Sequence, residues 1–288
     1  MYFAKHLTLM RGGGDLATGV AYRLHKAGFP LVVLELPQPL VVRRTVALAT
    51  AVLEGEVTVE ELHGRLVETP AAAVTLAQEG AIPVLVAPEL EPFTTALQSS
   101  AGMNQPTIVV DARMVKRNLD TGKEQAPLVV ALGPGFSAGV DCDAVVETMR
   151  GHWLGRVIWE GTALPDTGTP GLVAGKGKER VLRAPTGGVV TWRSPGSQRE
   201  TAIGDRVREG EVIGSVNGTV VTAPFAGVVR GLIAPGTAVR RGLKIGDVDA
   251  RGDPAACYTI SDKALAVGGG VVEAVLTWLN RQEEDNGR

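Results

Sequence analysis

The stretch Met10-Arg11-Gly12-Gly13-Gly14-Asp15-Leu16-Ala17-Thr18-Gly19, followed by a second apolar run that ends in Glu35, decides the reading of the fold. Leu7-Thr8-Leu9-Met10 before it is apolar enough for a buried first strand, and Leu16, Val20, Leu24 and Ala27 after it recur at helical spacing. Strand, glycine turn and helix make the first half of a βαβ unit. In Gly12-x-Gly14-x-x-Ala17 the glycines fall where the chain must turn sharply and where a pyrophosphate would approach the backbone, and the small residue falls where helix packs on strand. The amides that open the helix would face the anion. Gly28 can cap the helix, Leu31 to Leu34 form the second strand, and Glu35 stands about 20 residues past the glycines, where an acid holds ribose hydroxyls. Gly12, Gly14, Asp15, Ala17, Gly19 and Glu35 are therefore candidate cofactor-binding residues. A purely structural turn uses the same pattern, with Asp15 as the helix N-cap.

Length and composition narrow the class. The 288 residues suffice for two compact units with a sizeable core. The 37 glycines and 17 prolines sit among apolar residues, as turns do, and not in a low-complexity tract. With 29 basic and 31 acidic residues there is no phosphate-tracking stripe, so nucleic acid is not an expected partner. No apolar run reaches the roughly 18 residues that span a bilayer, and a signal peptide's basic start and cleavage site are missing, so the expected location is cytoplasmic. Cys142 and Cys257 are too few for a zinc cluster or disulfide framework, and no metal site is expected.

Further apolar runs, Ile82 to Val86, Thr107 to Val110 and Pro127 to Leu132, are continuous, as strands of a parallel sheet covered on both faces are. Ala71 to Gln78 reads as a short helix. Chemistry in such sheets gathers at the carboxyl ends of strands, where Glu35, Asp111 and Gly133 fall. Beyond about Trp159 short glycine-punctuated β segments take over. There Ala184-Pro185-Thr186-Gly187-Gly188-Val189 is echoed by Ala223-Pro224-Phe225-Ala226-Gly227-Val228, and Gly204-Asp205-Arg206-Val207 by Gly236-Thr237-Ala238-Val239. The two copies resemble the halves of a biotinyl/lipoyl-type barrel-sandwich hybrid, whose core would include Val189, Val207, Val228 and Val239. Between the halves Asn217-Gly218 signals a tight hairpin without the lysine that biotin or lipoate carriers present, so no covalent biotin or lipoate is expected. The expected organisation is an α/β Rossmann-like parallel-sheet domain over 1–158, a small all-β module over 159–250, and a C-terminal segment over 251–288 with a Gly-rich turn and a helix. Gly268-Gly269-Gly270 would weaken that helix by about 1 kcal/mol each relative to alanine, so a packing or ligand reason is required.

Polar residues concentrate after Gly133-Pro134-Gly135, in Glu147, Arg150, His152 and Arg156. The glycine turn can offer amides to an anion, and Arg150 and Arg156 can pair with phosphate or carboxylate. Equally, Glu147 and Arg150 suit a helix-surface pair, with His152 capping the helix end. Arg43, Arg44, Asp111 and Arg113, with Gly133 and Gly135, complete the candidate set near strand ends. Cys142, flanked by Asp141 and Asp143, reads as a buried residue and not a nucleophile. No catalytic residue is assigned.

Arg11-Gly12-Gly13-Gly14-Asp15-Leu16-Ala17-Thr18-Gly19, Val42-Arg43-Arg44-Thr45-Val46, Gly133-Pro134-Gly135-Phe136, Glu147-Thr148-Met149-Arg150-Gly151-His152 and Gly268-Gly269-Gly270-Val271-Val272-Glu273-Ala274 together resemble the YqeB family of selenium-dependent molybdenum hydroxylase system proteins, with a looser kinship to XdhC-type maturation factors. The resemblance implies a maturation or chaperone protein that binds a molybdopterin dinucleotide or another dinucleotide and docks a molybdenum hydroxylase client or its maturation machinery. Homo-oligomerisation is left open. The alternatives are an NAD(P)-dependent oxidoreductase using Gly12, Gly14 and Glu35, which lacks an evident acid/base pair for hydride transfer, and a biotinyl/lipoyl-type carrier, which lacks its acceptor lysine.

Overall fold

The apolar runs lie side by side in one sheet. The computed structural model describes residues 1–98, 106–168, 171–194 and 198–286. The chain divides into two units, the first made of Met1–Pro39, Ala47–Asp166 and Ile260–Arg288, the second of Leu40–Val46 and Thr167–Thr259.

In the first unit the strands are β1 (Thr8–Arg11), β2 (Leu31–Glu35), β3 (Glu56–Val59), β4 (Leu62–Val67), β5 (Ile82–Val86), β6 (Ile108–Asp111), β7 (Leu128–Leu132), β8 (Ser137–Ala138), β9 (Ala144–Val146), β10 (Val157–Ile158) and β11 (Gly161–Thr162). The helices are α1 (Asp15–Ala27), α2 (Thr50–Glu54), α3 (Pro70–Gln78), α4 (Glu91–Gln98) and α5 (Asp262–Asn286). Among the described residues nine strands form one sheet in the order β10-β9-β7-β6-β1-β2-β5-β4-β3, and β8 pairs with β11 separately. From β9 to β4 neighbouring strands pair in parallel; β10 and β3 close the edges antiparallel. Alternate residues of each central strand enter opposite cores. Met10, Val33, Val110 and Val130 pack with Val20 and Leu24 of α1 and Val267 and Val271 of α5, while Leu9, Val32, Val109 and Val129 pack with Val74 of α3 and with Phe93 of α4. Burial on both faces is why these strands read as unbroken apolar runs. The β3–β4 hairpin, β9 and β10 are the sheet elements the apolar runs did not announce.

The C-terminal segment is not a separate part. Ser261 caps α5 by accepting from the Ala264 amide at 3.2 Å, and α5 packs against α1 as a core helix. Its glycines have a packing cause. A Cβ on Gly268 would collide with the Gly19 carbonyl, one on Gly19 with the Ala264 carbonyl, and one on Gly270 with the Gly155 carbonyl. Gly269 faces open space.

The second unit holds β12 (Val181–Arg183), β13 (Gly188–Thr191), β14 (Arg206–Val207), β15 (Val212–Val216), β16 (Thr219–Thr222), β17 (Gly227–Leu232), β18 (Ala238–Val239) and β19 (Lys244–Asp249). Its sheets run β12-β19-β17-β14 and β16-β15-β13-β18. Replacing each strand by its counterpart in the other repeat copy (β12 with β16, β13 with β17, β14 with β18, β15 with β19) turns one order into the other, so the sequence repeat is also a repeat of structure. Asn217 and Gly218, at φ of 46° and 80°, form the two-residue turn joining β15 to β16, the left-handed pair that a tight hairpin requires. One core position shifts by a residue: Val190 is buried and Val189 is 54% exposed.

The second unit also takes a strap from far upstream. Within Leu40–Val46, Arg44 donates to the Leu232 carbonyl at 2.9 Å and Thr45 to the Cys257 carbonyl at 2.6 Å. Gly231 makes room for the strap, since a Cβ there would stand 2.9 Å from the Val42 carbonyl oxygen. The boundaries thus differ from those expected: 40–46 joins the β module, 159–166 stays with the sheet domain, 251–259 stays with the β module, and α5 returns to the first unit. Linear composition could not register these exchanges, which are made by contacts between distant segments.

Candidate functional site

The glycine turn lies where β1 has β2 on one side and β6 on the other, so that connections from the two neighbours diverge. In open parallel sheets the crevice at such a point, beyond the carboxyl ends of the strands, is where ligands bind. Each glycine of the turn has a different reason to be glycine. Gly12 is held at a φ of 98°, and a Cβ there would press on the Ala112–Arg113 main chain at 3.2 Å. Gly13 is enclosed by Ala49 and Val33, both 2.9 Å from an added Cβ. Gly14 has an ordinary φ of −66° and meets nothing within 4 Å. Only at Gly14 does the missing side chain leave space open beside the backbone.

Gly14, not Asp15, is the N-cap of α1, and no side chain caps the helix there. Asp15 is instead the first helical residue, its charge favourable at the positive end of the helix. Ala17 is buried in the core, and Gly19 faces α5. Thr18 accepts from the Leu48 amide at 3.0 Å and donates to the Gly14 carbonyl, also at 3.0 Å. Glu35 reaches back to the turn. Its Oε1 accepts from the Gly13 amide at 2.7 Å and its Oε2 from the Leu36 amide at 2.8 Å. Burial raises the Glu35 pKa above the ordinary range, although those two amides pull it the other way.

Asp111 and Arg113 form a network at the ends of β1 and β6. The Arg113 guanidinium donates to both Asp111 oxygens, with Nη2 to Oδ2 at 2.6 Å, and pairs with Asp120 at 2.7 Å. Arg11, buried beside it, also holds Asp120 at 2.7 Å, and Thr121 donates to Asp111 at 2.6 Å. Burial alone would lower the Arg113 pKa, but Asp111 and Asp120 outweigh it and hold the pKa above that of an ordinary arginine. Two cations facing two carboxylates make a neutral cluster that ties the loop after β6 to the end of β1.

Gly133 and Gly135, at φ of 73° and 106°, are filled from the protein side: a Cβ on the first would strike the Thr148 hydroxyl, and one on the second would come within 2.5 Å of the Arg117 amide. The segment from Glu147 to Arg156 is a loop between β9 and β10 and not a helix, which removes both the surface pair and the helix cap expected of it. Glu147 is buried and accepts from the Met149 and Leu164 amides, each at 2.7 Å. Arg150 makes two bonds to Asp262 at the start of α5, at 2.7 and 2.9 Å. His152 packs edge-on against Trp153, whose ring carries the Arg156 guanidinium at 4.6 Å. Arg43 and Arg44 fall in the second unit, where they donate to main-chain carbonyls. Cys142 is buried, and its thiol is pushed up to about 12 by burial first and by Asp141 and Asp143 next.

One cation escapes the motif reading. Lys263, half-buried in the first turn of α5, lies within electrostatic reach of Lys116, Asp15, Arg150 and Glu147. Burial lowers its pKa, Lys116 and Arg150 lower it further, and Asp15 and Glu147 oppose them. A lysine in the first turn of a helix opposes the helix dipole, and that anomaly was the available signal.

The fold and turn define an α/β protein with a large parallel-rich sheet, antiparallel sheets and a long C-terminal helix, and with a glycine-rich strand-to-helix turn at the sheet's point of divergence. No family model matches the chain, and no solved structure does. The chain is similar to the uncharacterized protein YqeB of Escherichia coli (strain K12), with 46% identity over 275 residues, 96% of this chain and 48% of the relative. It thus spans about half the length of the curated relative it matches. No helix among the described residues is long and apolar enough to cross a membrane.

Proposed function

We propose that this protein is an accessory factor in the maturation of selenium-dependent molybdenum hydroxylases, binding a molybdopterin dinucleotide or a related nucleotide at the Gly12–Gly14 turn and docking its client through the β module. On this reading the first unit is Rossmann-like and the second a barrel-sandwich hybrid without an acceptor lysine. The observation that carries the ligand reading is the open space at Gly14, where the backbone enters α1 at the diverging strands. A pyrophosphate can approach there with no side chain in the way, and the first amides of α1 would donate to it. Glu35, fixed by the Gly13 amide, stands at the position of a ribose-binding acid. The dinucleotide would supply the handle by which its pterin end is held and passed on. The paired orders of the two small sheets support the barrel-sandwich reading. Similarity to YqeB supports the family on which the maturation role rests.

Glu35 beside the glycine turn equally suits the ribose of a nicotinamide dinucleotide, which keeps an NAD(P)-dependent oxidoreductase as the second reading. Mass identification of the ligand that copurifies separates the two. The turn itself is tested by Gly14→Val, which the open surroundings and ordinary φ accommodate without refolding. Dinucleotide binding by calorimetry should be lost while the far-UV circular dichroism stays unchanged; undiminished affinity refutes the site.

A further inference from the structure

We infer that Arg11 and Arg113 form a two-arginine seat for a phosphate group of the ligand, which Asp120 fills in this structure and gives up when the ligand binds. The inference rests on the nucleotide reading above only in placing the ligand in the crevice beyond β1 and β6. The seat itself is argued from the cluster at the ends of those strands. One carboxylate bridges two guanidiniums there, with Asp120 Oδ2 2.7 Å from Arg11 Nη2 and Oδ1 2.7 Å from Arg113 Nη2. A phosphate offers its oxygens to a pair of arginines in the same manner.

The two carboxylates of the cluster are not alike. Asp111 is buried and built in: it accepts from the Arg113 amide at 3.1 Å, from the Thr121 hydroxyl at 2.6 Å and from Nε and Nη2 of Arg113. The Asp120 side chain is 47% exposed, and among the described residues its carboxylate is held by the two arginines alone. The arginines keep their places without it. Arg113 stays forked on Asp111, and Arg11 Nη1 donates to Thr121 Oγ1 at 3.2 Å. Thr121 is fixed in turn by the Asn118 side chain, which bonds its amide and its carbonyl, each at 2.8 Å. What would be lost is the charge balance, because Arg11, only 3% exposed, and Arg113 would then face Asp111 alone. A buried guanidinium stripped of its counter-ion is strongly unfavourable. An anion from solvent must therefore take the place that Asp120 leaves, and the exposed side of Asp120 is its way in. The seat also stands where the ligand would lie. Arg11 ends β1 directly before Gly12, and a Cβ on Gly12 would be 3.2 Å from the Arg113 Cα. The loop that delivers Asp120 carries Met114 and Lys116 at left-handed φ of 57° and 69°. Such strain in non-glycine residues gathers at ligand clamps and switch segments.

The test measures the binding of inorganic pyrophosphate to the full chain by calorimetry, in the wild type and in Asp120→Ala and Asp120→Asn. Removing the internal competitor should tighten binding by about tenfold or more in both variants, and pyrophosphate should raise their melting temperatures more than that of the wild type. Asp120→Ala combined with Arg113→Lys has the same net charge as Asp120→Ala but lacks the guanidinium fork, and its affinity should return to the wild-type level or below. Unchanged or weaker binding in both single variants overturns the inference. So does a gain that persists with Arg113→Lys, which would be a general effect of lost negative charge. If neither single variant folds, Asp120 is a structural ion-pair partner and the seat falls as well. Failure of the two ideas is distinguishable. If the Asp120 variants bind pyrophosphate more tightly but no dinucleotide binds, the seat stands and the dinucleotide reading falls. If a dinucleotide binds the wild type and both variants alike, the reading stands and the seat falls.

Discussion

Adjacent alanine substitutions in the glycine triplet of α5 should have opposite effects on stability. Replacing a helical glycine by alanine gains about 1 kcal/mol through backbone entropy. At Gly269 an added Cβ meets nothing within 4 Å, so the gain is realised in full. At Gly268 the Cβ collides with the carbonyl of Gly19, main chain of a packed helix that cannot rotate aside. Overpacking of that kind costs about 1–3 kcal/mol. Relief by moving α5 outward would expose part of Val267 and Val271, which are fully buried and each contribute about 1.5–3 kcal/mol through burial. The net expectation is a loss of about 1–2 kcal/mol for Gly268→Ala against a gain of about 1 for Gly269→Ala. For a unit of this size the difference separates the two melting temperatures by roughly 5–10 °C. Urea denaturation followed by circular dichroism measures it, and hydrogen exchange should show faster opening of α1 and α5 in Gly268→Ala alone. Equal stabilisation by both substitutions would refute the close crossing of α1 and α5.

Asp249 provides a pH prediction. Burial would raise its pKa, but bonds from Arg251 and the charges of Arg251 and Arg230 bring it down to about 2. Because the folded value lies below the unfolded one, the stabilisation is complete above pH ~4 and is lost as pH falls toward 2, amounting to about 2 kcal/mol. Acid titration of stability should show this loss in the wild type and not in Asp249→Asn; identical acid limbs would contradict it. Arg150→Ala removes an ion pair whose partner Asp262 is 71% exposed, so the melting transition should shift by no more than about 1 kcal/mol. Hydroxylase activity in cells carrying Arg150→Ala should remain at the wild-type level, and its loss would return the β9–β10 loop to the functional site.

The β1–α1–β2 unit was legible because two signals agree there: the switch from apolar run to helical spacing, and glycines at the turn. The central strands were legible because both of their faces are buried. What escaped depends on partners far away in the chain. The triplet at Gly268 demanded a cause, but nothing local identifies Gly19 and Gly155 as the backbones it approaches. Glu147 and Arg150 have helical spacing, yet the Met149 and Leu164 amides claim the first and Asp262 the second. In the β module the valine pair at 189–190 is ambiguous by one residue, and a one-residue slip exchanges inside for outside. Of the candidate site, the turn and Glu35 were readable as a pattern. Lys263 was not, because only the fold brings the first turn of α5 within electrostatic reach of Asp15 and Glu147.

The strap at Leu40–Val46 bears on how the protein is made. The chain passes between its units at residues 39/40, 46/47, 166/167 and 259/260. The strap leaves the ribosome before any strand of the module it will join, and must stay available while most of the sheet domain is synthesised. The sheet domain in turn waits for α5, translated after the whole module, to cover the groove along α1 at Gly19. Neither unit can therefore finish folding as an early, independent N-terminal block. Contacts so distant in sequence slow folding and prolong the exposure of apolar surface. Nascent chains arrested before residue 260 should accordingly hold an incomplete first core and depend heavily on chaperones.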